Sequence, residues 1–498
     1  MPTSSDSVQQ GFARDAGSYF GYPPAVDRPY TFFDLTNSIC ATCLRKVEAK
    51  LVLQEGRIFM LKRCPEHGPQ RVLISTDEDF YKLQRSFLKP GQLPLKFNTP
   101  FAHGCPYDCG LCPDHEQHSC IALVEITDQC NLSCPVCFAD SSPSRTTHRS
   151  LEQVERMLDR VVANEGEADV VQISGGEPSV HPQLMEILAA ARERPIKHLM
   201  LNTNGIRIAH SARFAEQLAR WMPRFEIYLQ FDSLRPEPYR VLRGQDLLED
   251  KLQALERLNA LGLSTTLVTT VRRGLNDDEL GDIVRFALDQ RCVRGVTFQL
   301  VQDAGRNQDF DPAEHRLTLS EARHRLLAQH PLFSSEDLIP VPCHPDCLVM
   351  AYALKLGDQA VPLSGRIDPE AILRGERSTI MYEGSRPMRQ QLVELFSTGH
   401  SPDAQADKLG QLLCCLPQLD LRGELTYENV FRVLMVKFLD PHDFDVRSVK
   451  RACVHIVHPD GRLIPFDTYN LFYRDAREQR LLSLRAPGSA VPLSRQGA

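Results

Sequence analysis

The chain has 498 residues, 42% hydrophobic and 24% charged, with a formal net charge of −7. These totals exclude a single small core and a broad cationic nucleic-acid surface, and no run of about 20 apolar residues is present to span a membrane. The 16 cysteines mostly lie two or three residues from a neighbour. In a long chain whose start carries no secretory signal, such spacing points to metals rather than disulfides and to a cytoplasmic setting.

In chain order, residues 1–30 are polar and are expected to form a disordered tail. Residues 31–75 alternate short extended stretches, with a hairpin expected around Glu55-Gly56. Cys40-Ala-Thr-Cys43 and Cys64-Pro-Glu-His67 flank that hairpin and offer three sulfurs and one imidazole. That is a tetrahedral set for one mononuclear zinc or iron ion in a zinc-ribbon or rubredoxin-like module. Residues 76–120 form a connecting segment and carry a triplet, Cys105-Pro-Tyr-Asp-Cys109-Gly-Leu-Cys112, which predicts an auxiliary [4Fe-4S] cluster.

From residue 121 to 335 the pattern becomes strand, loop, helix, repeated. Strands are predicted at 121–126, 170–174, 198–202, 226–231, 265–271 and 295–300. A capping box of Ser150 and Gln153 opens the first helix, and Gly262 closes a later one over 252–261. Six such units predict an α/β architecture, a partial (β/α)6 barrel, with its chemistry at the C-terminal ends of the strands. Residues 336–498 lose the alternation. Helical stretches are expected near 387–397 and 427–438, then a hairpin turning at Asp460-Gly461, with a disordered end beyond about 485. Cys343, Cys347 and Cys453 make this region a C-terminal auxiliary iron–sulfur domain. Cys120, Cys414 and Cys415 could complete a cluster or be buried thiols, and Cys292 reads as a buried thiol.

The loop after the first barrel strand reads Cys130-Asn-Leu-Ser-Cys134-Pro-Val-Cys137. Three thiolates can each hold one iron of a cubane cluster and leave the fourth open, whereas electron-transfer clusters take four. A closed zinc site with a distant fourth ligand is the alternative. The second strand ends in Ser174-Gly175-Gly176-Glu177-Pro178. These motifs on consecutive βα units resemble the radical S-adenosylmethionine (SAM) superfamily. The resemblance implies a [4Fe-4S] cluster on Cys130, Cys134 and Cys137 that binds S-adenosyl-L-methionine. It also implies contact of Gly175, Gly176, Glu177 and Pro178 with the cofactor's ammonium group, Glu177 supporting the loop. Asn202, Asn204, Asp232, Arg272 and Gln299, at later strand ends, suit ribose hydroxyls and a carboxylate, and each also reads as a helix cap or loop charge. Val136 stands where many members carry an aromatic residue.

The ribbon, the second triplet, the barrel motifs and the ending Val-His-Pro-Asp-Gly-Arg-Leu-Ile-Pro-Phe together resemble a narrower family over roughly residues 30–475. This is the archaeal tetraether lipid synthase family, some of whose members have also been known as radical pterin methyltransferases. It implies hydrogen abstraction from an unactivated lipid terminus, carbon–carbon coupling of two chains, an external flavodoxin- or ferredoxin-class electron donor, and a lipid substrate met at a membrane surface. Archaeal members can carry cysteines where this chain has Ala452 and Asp467. Two other readings are radical methylation of a pterin-like heteroaromatic and a non-catalytic metal-ribbon protein that binds a partner.

Overall fold

Four antiparallel strands, β1 (Thr31–Ile39), β2 (Lys46–Gln54), β3 (Arg57–Cys64) and β4 (Gly68–Ser75), pair in sequence order into the N-terminal ribbon. The structure is a computed structural model, described over residues 28–356, 359–366, 429–475 and 477–485. Inward residues of β2 and β3 alternate, and Ala49, Leu51, Ile58 and Met60 pack with Tyr81 of the following helix, α1 (Glu78–Ser86). This core is too small to hold a module alone, so the ribbon depends on other restraints. One is Lys62, whose buried Nζ donates to Ile39 O within the ribbon and to Pro441 O and His442 O at the far end of the chain.

The six expected strands are present: β5 (Ile121–Thr127), β6 (Ala168–Gly175), β7 (Ile196–Thr203), β8 (Phe225–Gln230), β9 (Thr265–Val271) and β10 (Val293–Leu300). All run parallel to their neighbours in this order. Their residues are buried almost throughout, because helices cover one face and a lumen lies on the other. α2 (Leu151–Glu165) opens on the Ser150/Gln153 capping box and turns Val154, Leu158 and Val161 onto the sheet. α3 (Leu184–Arg192), α4 (Ala212–Ala219), α5 (Pro236–Arg243), α6 (Leu248–Leu261), α7 (Leu280–Asp289) and α8 (Leu319–Gln329) come next, and Gly262 ends α6 in the left-handed conformation.

The C-terminal region extends this same sheet at both edges. β11 (Leu348–Leu356) and β12 (Val430–Lys437) add to the β10 edge, β12 parallel to β10 and β11 antiparallel to β12. At the other edge β13 (Val454–Val457) lies parallel to β5 and forms the expected hairpin with β14 (Leu463–Pro465). The helix expected near 427–438 is instead β12 over its described part, a correction with a plain cause. Val430, Val433 and Val436 are β-branched, and both edges of the segment are paired, with β10 on one side and β11 on the other, so the strand's backbone groups are satisfied by its neighbours. The stretch near 387–397, Cys414 and Cys415 lie outside the described residues.

Candidate active site

The Cys130–Cys137 loop leaves β5 and closes over the C-terminal ends of the barrel strands. Cys130 and Cys134 are buried and Cys137 is partly exposed. All three line one cavity of about 190 Å³ with Gly175, Gly176, Glu177, Asn202, Asn204 and Gln299. Burial pushes the Cys130 thiol up to about 12, Glu177 adding to the effect, and burial also raises Cys134 against the pull of Arg243. Metal-free, Cys130 and Cys134 hold their protons, and a bound cation is what would release them.

The glycine motif is locked to the cysteine loop by backbone. Gly176 N–H donates to Thr127 O at 2.8 Å and Glu177 N–H to Gln129 O at 2.9 Å. A Cβ at Gly176 would collide with the Gln129 carbonyl, which explains the bare backbone here. The buried Glu177 carboxylate accepts from Ser179 N–H at 2.9 Å, Thr203 Oγ1 at 2.8 Å and Asn204 N–H at 2.7 Å, tying two strand ends together. Asn204 Nδ2 then donates to Asn131 Oδ1 in the cysteine loop at 2.7 Å.

Not every predicted residue reaches the cavity. Pro178 starts a short helical turn beside it. Asp232 is fully buried and grips Arg243 through two 2.7 Å contacts, so its carboxylate serves a side chain rather than the open space. Arg272 turns to Asp309 O and His315, away from the lining. Three residues have no local sequence signal. Arg243 lines the cavity and donates to Val136 O at 3.2 Å and Thr270 Oγ1 at 2.8 Å. Arg306 clamps the cysteine loop through Cys134 O at 2.6 Å and Ser141 O at 2.7 Å. Lys251, lowered to about 8 by burial, reaches Asn204 O and Gln230 Oε1.

At the ribbon, Cys40 Sγ lies 3.7 Å and Cys64 Sγ 3.5 Å from His67 Nδ1, while Cys43 and Cys64 sulfurs lie 3.7 Å apart. Burial pushes the Cys40 thiol up, but backbone N–H groups of Cys43 and Thr42 outweigh it and hold the thiol at about 6. The Cys105, Cys109 and Cys112 thiols feel one another electrostatically, with Cys109 fully buried under Thr468, whose hydroxyl donates to its sulfur at 3.0 Å. The expected Cys343–Cys347–Cys453 grouping is redistributed. Cys343 and Cys453 converge with Cys120, whereas Cys347 faces the field of Lys437 and Asp467.

A parallel α/β barrel with three cysteines and a Gly-Gly-Glu strand end at one cavity defines a class, and residues 124–287 match the family model described as the radical SAM superfamily. The protein is a radical SAM enzyme. Residues 32–76 match the HMPTM N-terminal zinc ribbon domain. With 31% identity over 89% of its length and 95% of the relative's, the chain belongs to the family of the 7,8-dihydro-6-hydroxymethylpterin dimethyltransferase of Methanocaldococcus jannaschii. It is also similar to a GTP 3′,8-cyclase of Cronobacter sakazakii, 28% identical over 46% of this chain and 71% of that one, and to a probable GTP 3′,8-cyclase of Pyrococcus abyssi, 30% identical over 33% and 51%. Among solved structures, Streptococcus suis SuiB aligns at TM-score 0.37 and 14% identity over 60% of this chain and 68% of that one.

The donor set fits the cofactor of the class. Among the described residues three soft sulfurs face the cavity beside exposed backbone and neutral amides, which suits a cluster with one open iron and a small zwitterionic ligand. No described helix is long and apolar enough to cross a membrane.

Proposed function

We propose that the protein uses Cys130, Cys134 and Cys137 to hold a [4Fe-4S] cluster with S-adenosyl-L-methionine and abstracts hydrogen from an unactivated carbon of an apolar substrate, joining lipid chain termini. When bound, the reduced cluster and its cofactor supply a 5′-deoxyadenosyl radical. The chain's own residues position and enclose. Gly175 and Gly176 offer bare backbone, Asn202, Asn204 and Gln299 offer neutral hydrogen-bonding groups, and Arg243, fixed by Asp232, offers a cation for a carboxylate. An external flavodoxin- or ferredoxin-class donor supplies the electron. The Cys105, Cys109 and Cys112 triplet holds an auxiliary cluster, and Cys40, Cys43, Cys64 and His67 hold the ribbon ion.

The observation that carries the substrate class is the cavity's far wall. Leu123, Leu348, Leu434, Val436, Phe438 and Val454 line it, and among the described lining residues Arg243 is the one cationic side chain, while the Glu177 carboxylate is already engaged. Through Ile121, Gln172, Tyr228 and Leu434 it borders a second space of about 70 Å³, walled by Val170, Met200, Val296 and Met350. Thr266, Thr297 and Arg432, the last bonded to Glu226, also line the second space, and the two spaces together are walled mostly by apolar side chains, which suits an alkyl chain better than a triphosphate. Exposed Leu93, Leu95, Phe97 and Phe101 on the connecting segment suit a lipid surface.

The name of the Methanocaldococcus relative favours a second reading, methylation of a pterin, for which Gln172, Gln299 and Gln302 are available partners. Incubation with saturated-tail lipids and, separately, with a reduced pterin decides between them. The lipid reading expects 5′-deoxyadenosine and a coupled product that has lost hydrogen. Methylated pterin with S-adenosylhomocysteine would overturn it.

A further inference from the structure

A buried cation stands beside the Cys130–Cys137 loop without lining the cavity. α6 starts against that loop, where Leu247 and Leu248 pack with Cys130, Leu132, Cys134 and Tyr239. Lys251 follows, its backbone N–H donating to Leu247 O at 3.0 Å and its side chain fully buried. Its Nζ donates to Asn204 O and, at 3.3 Å, to Gln230 Oε1. Both partners belong to the site. Gln230 lines the cavity, and Asn204 bonds Glu177 through its N–H and Asn131 of the cysteine loop through Nδ2. Burial lowers the Lys251 ammonium to about 8 against the pull of Asp232, which leaves it a cation at neutral pH.

We propose that Lys251 raises the reduction potential of the cluster on Cys130, Cys134 and Cys137, so that the external donor can deliver its electron. This role rests on the reading of those three thiols as cluster ligands. Accepting one electron adds one negative charge to a site that already carries three thiolates, with no bond formed or broken and no proton moved. A fixed cation nearby therefore stabilises the reduced state more than the oxidised one. The neighbouring charges leave Lys251 to supply that field. Arg243 is matched by Asp232 through two 2.7 Å contacts, so the pair adds little net charge. The Glu177 carboxylate is held by a hydroxyl and two backbone N–H groups, all neutral, and its charge is felt at Lys251. The Lys251 charge in turn favours the Cys134 thiolate, as Arg243 does. Full burial keeps solvent and salt from screening this field. Lys251 is thus a positioning residue, acting through its charge and through Asn204 and Gln230 rather than as a ligand.

The test is a reductive titration of the anaerobically reconstituted full-length enzyme, read by electron paramagnetic resonance in wild type, Lys251→Met and Lys251→Arg. The cluster of interest is the one whose reduced signal changes when S-adenosylmethionine is added, and the auxiliary cluster's signal is the internal reference. At a fixed applied potential, Lys251→Met should hold that cluster at a reduced-to-oxidised ratio roughly tenfold below wild type, a shift of about 59 mV for one electron, with the auxiliary signal unmoved. Lys251→Arg keeps the charge and should stay near wild type. If Lys251→Met does not fold, Lys251→Gln, which keeps a donor for Asn204 O without the charge, should show the same shift. An unchanged potential in a neutral variant with its full iron and sulfide, or the same fall in Lys251→Arg, would overturn the proposal alone. A wild type with no signal that responds to S-adenosylmethionine would overturn it together with the cluster reading beneath it.

Discussion

Replacing Asp232 with alanine removes the carboxylate that Arg243 grips through two 2.7 Å contacts. Arg243 is 7% exposed and Asp232 0%, so solvent cannot take over the lost partner. Two of its other contacts, Val136 O and Thr270 Oγ1, are neutral and do not replace a carboxylate beside a buried guanidinium. Removing one member of a buried pair costs about 3–5 kcal/mol, and the Thr270 N–H that Asp232 accepts at 3.1 Å is stranded as well. Anaerobic urea unfolding should show Asp232→Ala destabilised by that amount. Asp232→Leu/Arg243→Met, which removes both charges, should return to within about 1 kcal/mol of wild type yet bind S-adenosylmethionine poorly. A cost below about 1 kcal/mol for the single variant, or a double variant no more stable than the single, would refute the view that Asp232 acts through Arg243.

The same geometry sets several further expectations. Gly176→Ala should push the cysteine loop away from Gln129 O, so that reconstituted iron content falls while the ribbon ion stays. Arg306→Ala should release Cys134 O and Ser141 O and speed cluster loss on exposure to a chelator, at a stability cost of about 1–3 kcal/mol. Arg474→Met should cost about 3–5 kcal/mol by stranding the buried Glu125, which it holds at 2.7 and 3.1 Å. Burial raises the Asp467 carboxyl to about 7, so the folded state favours its protonated form and stability falls as pH rises from about 4 to 7. Asp467→Asn should flatten that slope in pH-dependent unfolding.

Local features are the ones legible in the sequence. Parallel strands buried on both faces read as short apolar runs, so β5 to β10 are visible within a few residues of their ends, as are the Ser150 capping box and the Gly262 stop. The Val430–Lys437 run misleads because eight apolar-rich residues suit a buried strand or a buried helix equally by period, and only the β10 and β11 neighbours decide. The Cys130 loop and the Gly175–Pro178 motif are legible because each is contiguous. Arg243, Arg306 and Lys251 are not, since their roles depend on long-range partners: Val136 and Thr270 for Arg243, Cys134 for Arg306, Asn204 for Lys251. Asp232 looks like a cofactor contact at a strand end, and only the fold shows its carboxylate occupied by Arg243. The convergence of Cys120 with Cys343 and Cys453 likewise depends on the C-terminal region adding strands to both sheet edges.

The most direct measurement is anaerobic incubation of the reconstituted protein with S-adenosylmethionine and dithionite, with 5′-deoxyadenosine assayed by mass spectrometry in wild type and Cys134→Ala. A radical-generating cluster on Cys130, Cys134 and Cys137 predicts formation by wild type and none by the variant. Equal formation by both, or none by wild type carrying a full complement of iron and sulfide, would contradict it.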